Sequence, residues 1–183
     1  MRREPDSMSA IDDDEMTQEE IDYEFQFYRT DPQKFWELTN QRVERHPNSS
    51  GAYFGRHQAW ARLGRLDLAL SDLDKSLSLE EHYITHQARG HILRRLGRYG
   101  EAIDAYNRAE QMDPVEWRGG FGPLYRADCY AQLGDEAAAL ADCATMPDDH
   151  WTPGMNGVPA GNKEEVAIEL CRRAAAARAR GQG

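Results

Sequence analysis

The sequence predicts an all-α chain built as a right-handed solenoid of helical hairpins, and three observations predict it. Residues 59–70 (AWARLGRLDLAL) align without a gap on residues 92–103 (ILRRLGRYGEAI). A Leu-Gly pair then recurs a third time, so that Gly64, Gly97 and Gly134 mark intervals of 33 and 37 residues. Each pair lies between two segments of helical apolar spacing, which makes every unit helix, turn, helix. Self-similarity at that period is the sequence signature of a helical solenoid. Glycine suits the turn because a helix that must stop abruptly ends in the left-handed conformation, which a Cβ disfavours.

Taken in order, residues 1–15 are acidic and aperiodic and are expected to be a disordered tail. Residues 16–183 then form one helical domain. Its first part, 16–49, is a divergent hairpin. Thr17 with Glu20 has capping-box spacing and opens a helix carrying Ile21, Phe25 and Tyr28. Asp31-Pro32 breaks that helix, and Pro32 suits the first turn of the next, which presents Phe35, Trp36, Leu38 and Val43. Three repeats follow at 50–82, 83–119 and 120–147. Small residues stand where partner helices approach: Ala69, Gly90, Ala102, Ala109, Ala127 and Ala139. Met146-Pro147 cuts the third repeat short, and 148–161 is a Pro/Gly-rich loop. A last helix over 162–180, capped by Asn162 with Glu165 three residues on, covers the open end that every solenoid must close.

The second repeat, with Gly90, Gly97, Tyr99, Ala102, Tyr106, Ala109 and Pro114, resembles the tetratricopeptide repeat, a helix-turn-helix unit of 34 residues. Tyr53, Trp60, Gly64, Ala69 and Leu73 fit in the first copy, where His57 and Ser76 take positions usually small and Glu81 replaces the closing proline. Ala127, Tyr130, Gly134 and Ala139 fit in the third, where Cys143 replaces an aromatic. The resemblance implies a concave surface lined by the first helix of each repeat: Phe54, Gln58, Ala61 and Arg62; Gln87, His91, Arg94 and Arg95; Phe121, Leu124, Asp128 and Gln132. It also implies a protein or peptide partner. Arginines mixed with aromatics suit a peptide with acidic and apolar side chains. The Lys and Asn pattern by which some relatives clamp a C-terminal dicarboxylate is missing, since Phe54, Gln58, Ala88, Phe121 and Tyr125 stand at those places.

Arg56, Arg89 and Arg126 each stand eight residues before a turn glycine, at a core-facing position, where a buried charge must find a partner. Asp72 and Asp142 lie 16 residues after Arg56 and Arg126, and intrarepeat ion pairs are expected there. Ala105 breaks the rule for Arg89, which is expected to use Asp72 or Asp104.

The formal net charge is −10, of which residues 1–30 carry −7, from ten carboxylates and three arginines. That balance argues against phosphate-driven nucleic-acid binding. Neither a secretory leader nor a membrane span is legible, and Cys129, Cys143 and Cys171 fit no closed disulfide framework, so a cytoplasmic chain is expected. His82, His86 and His91 lack a carboxylate at ligand spacing and carry no metal reading; no cofactor is implied. Gly119-Gly120-Phe121-Gly122 follows no strand, and no nucleophile motif appears. The expectation is therefore a non-enzymatic scaffold or adaptor, with homo-oligomerisation left open. The alternative is a regulatory or chaperone-like subunit of a larger enzyme complex that uses its terminal helices and loops as a permanent interface. Trp117 and Trp151 sit where the repeat is interrupted, and either bind a partner or pin their loops. The acidic run at 12–24 and the arginines near the first two turns fit an intramolecular pairing or an acidic partner equally.

Overall fold

The computed structural model describes residues 17–154 and 157–181. Helices α1 (Gln18–Phe25) and α2 (Pro32–Arg45) form the divergent hairpin. The repeats are α3 (Ser50–Arg62) with α4 (Leu66–Leu79), α5 (Tyr83–Arg95) with α6 (Tyr99–Met112), and α8 (Gly122–Gln132) with α9 (Glu136–Thr145). A short α7 (Pro114–Gly119) lies between the second and third, and strands β1 (Trp151–Pro153) and β2 (Ala160–Asn162) precede the closing α10 (Lys163–Gly181). The acidic tail at 1–15 and Met155 fall outside the described residues, as does the side chain of Glu20, and with it the expected first capping box.

The three turn glycines have φ of 73°, 76° and 83°. Each closes a helix with the same bond pair: Gly64 N–H to Ala61 O and Arg65 N–H to Trp60 O, repeated as Gly97 to Arg94 with Arg98 to Leu93, and as Gly134 to Ala131 with Asp135 to Tyr130. This is the Schellman arrangement, in which the left-handed residue lets two otherwise orphaned carbonyls find donors. The expected breaks also appear. Asp31 Oδ1 accepts from Lys34 N–H at 3.0 Å behind Pro32. Asn162 Oδ1 accepts from the Glu164 and Glu165 amides at 3.0 Å each while Glu165 accepts from Asn162 N–H at 2.9 Å, a complete capping box.

The core is a strip rather than a ball. One cluster joins Ala69, Leu73, Leu93, Ala102 and Tyr106 across the first two repeats to Trp117 and Cys129. A second joins Leu124, Ala127, Ala139 and Cys143 to Val158, Val166, Leu170 and Ala174, beneath α10. Small residues permit the close approaches, since a Cβ on Gly90 would stand 2.6 Å from the Tyr106 ring. The arginine rule holds twice. Arg56 bonds both Asp72 oxygens (2.8 and 2.7 Å) and Asn40 of α2 (2.9 Å). Arg126 bonds both Asp142 oxygens (2.8 and 2.6 Å), Asn107 (2.7 Å) and Glu110 (2.6 Å) of α6. Arg89 departs from expectation: its Nε donates to Asp74 at 2.7 Å, because Asp72 is already held by Arg56 and Asp74 is on the outer face of α4.

Two segments differ from the sequence reading. The insertion after the second repeat is helical, because Asp113 caps α7 by accepting from Glu116 N–H at 3.0 Å and Pro114 fills its first turn. Trp117 is thereby driven inward to 1% exposure, over Tyr106 and against Gly122, where a Cβ would stand 2.3 Å from its ring. The Pro/Gly segment contains an antiparallel ribbon, Trp151 opposite Asn162 and Pro153 opposite Ala160, with Gly154, Gly157 and Gly161 at positive φ. Lys163 at its end donates to the Ala144 and Met146 carbonyls (3.3 and 2.8 Å), completing the C-terminus of the shortened α9.

Candidate functional site: the concave groove

The first helices α3, α5 and α8 stand side by side, and their inner faces bound a concavity of about 620 Å³. Gln58, Ala61 and Arg62 come from α3; Gln87, Ala88, His91 and Arg95 from α5; Tyr125 from α8. Tyr28 and Pro32 of the N-terminal hairpin close one side. Helical geometry puts these positions on one face, since residues three and four apart are neighbours.

The charge of the wall is one-sided. Among the described residues no Asp or Glu lines it, although the chain as a whole is acidic. Arg62 is exposed with its guanidinium 4.4 Å over the Tyr28 ring. Arg95 is exposed and donates to the Ala61 carbonyl at 3.4 Å. Among the described residues no carboxylate pairs with either of these two arginines. His91 stands edge-on to Tyr125 with ring centroids 5.1 Å apart, and burial, assisted by the Arg94 and Arg95 charges, pushes its pKa down to about 4. His57 is pushed down to about 4 by burial, with its Nδ1–H donating to the Phe54 carbonyl. Both rings are therefore neutral at pH 7. The cationic charge of the wall resides in the two guanidiniums.

Of the residues expected on this surface, Gln58, Arg62, Gln87, His91 and Arg95 come together in it. Phe54 lies next door, ring to ring with His57 at 4.7 Å and lining a second hollow of about 230 Å³ with Ser50, Gly51, Ser76, Glu80, His82, Ile84 and Thr85. Arg94 and Asp128 turn away from it. They form a buried pair at 2.7 Å, and the same Asp128 also accepts from Arg173 of α10 at 2.8 Å, so both are committed to holding helices together. Leu124 is fully buried, and Trp117 belongs to the core for the reason given above. Phe121 is 39% exposed and touches Tyr125 and His150, extending the aromatic surface beyond the groove. Trp151 is 63% exposed on β1. Tyr28, Ile84 and Tyr125 were not among the expected lining residues. Tyr125 had a readable signal, since it stands at one of the positions where some relatives clamp a carboxylate, and so had Tyr28, because the Asp31-Pro32 break returns the chain beside α3.

Burial pushes the Cys129 thiol up to about 12 and the Cys143 thiol up to about 11, far from the thiolate form. Among the described residues no cluster of three or more His, Cys, Asp or Glu side chains could hold a metal ion, and no helix is long and apolar enough to cross a membrane.

Comparison with known proteins places this architecture. The tetratricopeptide repeat family model matches residues 84–114, which are α5, the Leu-Gly turn and α6. Small glutamine-rich tetratricopeptide repeat-containing protein 2 of Mycosarcoma maydis is 30% identical over 79 residues; the match covers 43% of this chain and 22% of that protein, so this chain spans about a fifth of that relative's length. Among solved structures, MamA 41-end from Desulfovibrio magneticus RS-1 superimposes with a TM-score of 0.64 at 15% identity, covering 90% of this chain and 96% of that one. YrrB, described as a TPR protein with an unusual peptide-binding site, gives 0.61 at 17% identity over 87% of this chain and 85% of its own. The middle hairpin thus matches the tetratricopeptide repeat model, and the chain as a whole has the helical-solenoid fold of these solved structures.

Proposed function

We propose that the chain is a non-catalytic, cytoplasmic protein-interaction module that takes an acidic peptide segment of a partner protein into the concave groove. The observation that carries this reading is the makeup of the wall: two exposed guanidiniums on successive first helices, flanked by Tyr28 and Tyr125, with no carboxylate among the described residues, in a chain of formal net charge −10. Guanidinium groups beside aromatic faces are the common anchors of protein interfaces, and a bidentate guanidinium matches a carboxylate in shape as well as charge. Gln58 and Gln87 add neutral amides able to bond a peptide backbone. The peptide-binding site named for YrrB supports the same use of this fold by analogy.

The test is fluorescence anisotropy with a labelled Asp/Glu-rich peptide and its Asn/Gln counterpart. The acidic peptide should bind, weaken several-fold as salt is raised from low to high ionic strength, and lose about tenfold or more with Arg62→Glu and Arg95→Glu combined. Equal binding of the two peptides, or indifference to the double charge reversal, would remove the groove from the account.

A further inference from the structure

The hollow beside the groove is a separate feature with its own chemistry. It lies at the N-terminal ends of α3 and α5, where Ser50, Gly51 and Phe54 face Ile84 and Thr85. Arg62 and Arg95 stand at the opposite ends of the same two helices, in their last turns. Ile84 lines both spaces, and the Phe54–His57 ring pair joins one wall to the other. At about 230 Å³ the hollow has room for one aliphatic side chain. Glu80 stands on its rim, accepting from Ser50 Oγ at 2.7 Å, so this end repels the carboxylates that the far end attracts.

Resting on the reading of the groove as an acidic-peptide site, we propose that the small hollow is a second subsite that takes one aliphatic side chain of the same peptide. The partner segment is then an apolar residue set at a fixed distance from an acidic one, and the groove reads both. Helix geometry supplies the distance. Phe54 and Arg62 are eight residues apart and Ile84 and Arg95 eleven, about 12 and 16 Å at 1.5 Å per residue. An extended peptide advances about 3.3 Å per residue, so the aliphatic residue stands four or five positions from the carboxylate. Shorter spacings cannot reach both subsites. Longer ones must loop out, with a loss of chain entropy.

The probe is a set of labelled peptides in a Gly/Ser background, each carrying one Asp-Asp-Glu run and one leucine placed one, four, five or eight residues away, on either side. A control has serine in place of leucine. With the wild-type chain, leucine at four or five residues on one side should tighten binding about tenfold over the serine control, and the other spacings less than threefold. Gly51→Phe is the matching variant. Gly51 is on the rim, its backbone conformation accepts a side chain, and a Cβ there meets nothing closer than Ser49 Oγ at 3.8 Å. Filling the hollow from the rim should abolish the leucine effect while leaving binding to the acidic run. If all spacings bind like the serine control while acid dependence persists, the second subsite is refuted and the groove stands. If acid dependence is also missing, the groove reading fails and takes the subsite with it. A leucine effect that survives Gly51→Phe refutes the subsite's placement.

Discussion

Asp142→Ala tests the energetic core of this fold, because Arg126 is the most heavily engaged guanidinium described. Four bonds of 2.6–2.8 Å reach it from α6 and α9, and its plane lies 5.2 Å from the Trp117 ring. The Arg126 side chain is 10% exposed and Asp142 is 7% exposed, so water cannot replace a lost carboxylate. Breaking a buried pair by removing one partner costs about 3–5 kcal/mol, and the Glu110 bond that survives puts Asp142→Ala at the lower end, about 3 kcal/mol. The homologous Asp72→Ala should cost less, about 2 kcal/mol, since Arg56 is 19% exposed and more readily rehydrated. Replacing both partners, Arg126→Met with Asp142→Leu, should recover most of the loss, because two desolvated charges then give way to packed methylenes. Urea unfolding midpoints at constant m-value, arranged as a double-mutant cycle, measure all three. An Asp142→Ala variant within 1 kcal/mol of wild type, or a double variant worse than either single, would refute the reasoning.

Two further outcomes follow from other parts of the molecule. A Cβ on Gly64 would meet no atom within 4 Å, so Gly64→Ala should cost only the left-handed backbone penalty, about 1–2 kcal/mol, whereas Gly134→Ala must also displace Arg178, 2.9 Å away, and should lower the urea midpoint further. The histidine pair governs acid sensitivity. Both folded pKa values lie near 4, below the ordinary 6.5, so the unfolded chain binds protons first, and stability complete above pH 6.5 is lost as pH falls toward 4. Between pH 7 and pH 5 that amounts to about 2 kcal/mol per histidine, and His57→Gln should flatten the pH profile of the urea midpoint by roughly that amount.

How far the sequence could be read depended on whether a residue's partner was local. The turn glycines are a local matter: helix, stop and left-handed cap all lie within six residues, and the three Schellman turns were legible in the Leu-Gly pairs. The Arg56–Asp72 and Arg126–Asp142 pairs were legible because both members lie in one repeat at a spacing that the helix pair fixes. Arg94 and Arg95 mark the limit. They are neighbours in sequence, about 100° apart on a helix, so one faces the groove and the other the adjoining repeat. Choosing between them requires Asp128, 34 residues later on another helix, and equally requires knowing that Asp128 is not itself in the groove. For Trp117 the sequence leaves partner binding and loop pinning open, because Asp113-Pro114 reads first as the end of the second helical unit. The same dipeptide, with Glu116 three residues on, is also a helix start, and a six-residue helix has room to bury a tryptophan.

Asp128 has one consequence for how the chain comes apart. Its two carboxylate oxygens serve different junctions, one toward Arg94 in the second repeat and one toward Arg173 in the closing helix. In a solenoid described by nearest-neighbour energies, each junction contributes a separate term, and units can melt from an end one at a time. Sharing one carboxylate makes two of those terms rise and fall together, so the loss of α10 weakens the joint between the second and third repeats as well. Fraying from the C-terminus is thereby discouraged, and amides of α8, α9 and α10 should exchange with solvent as one cooperative block.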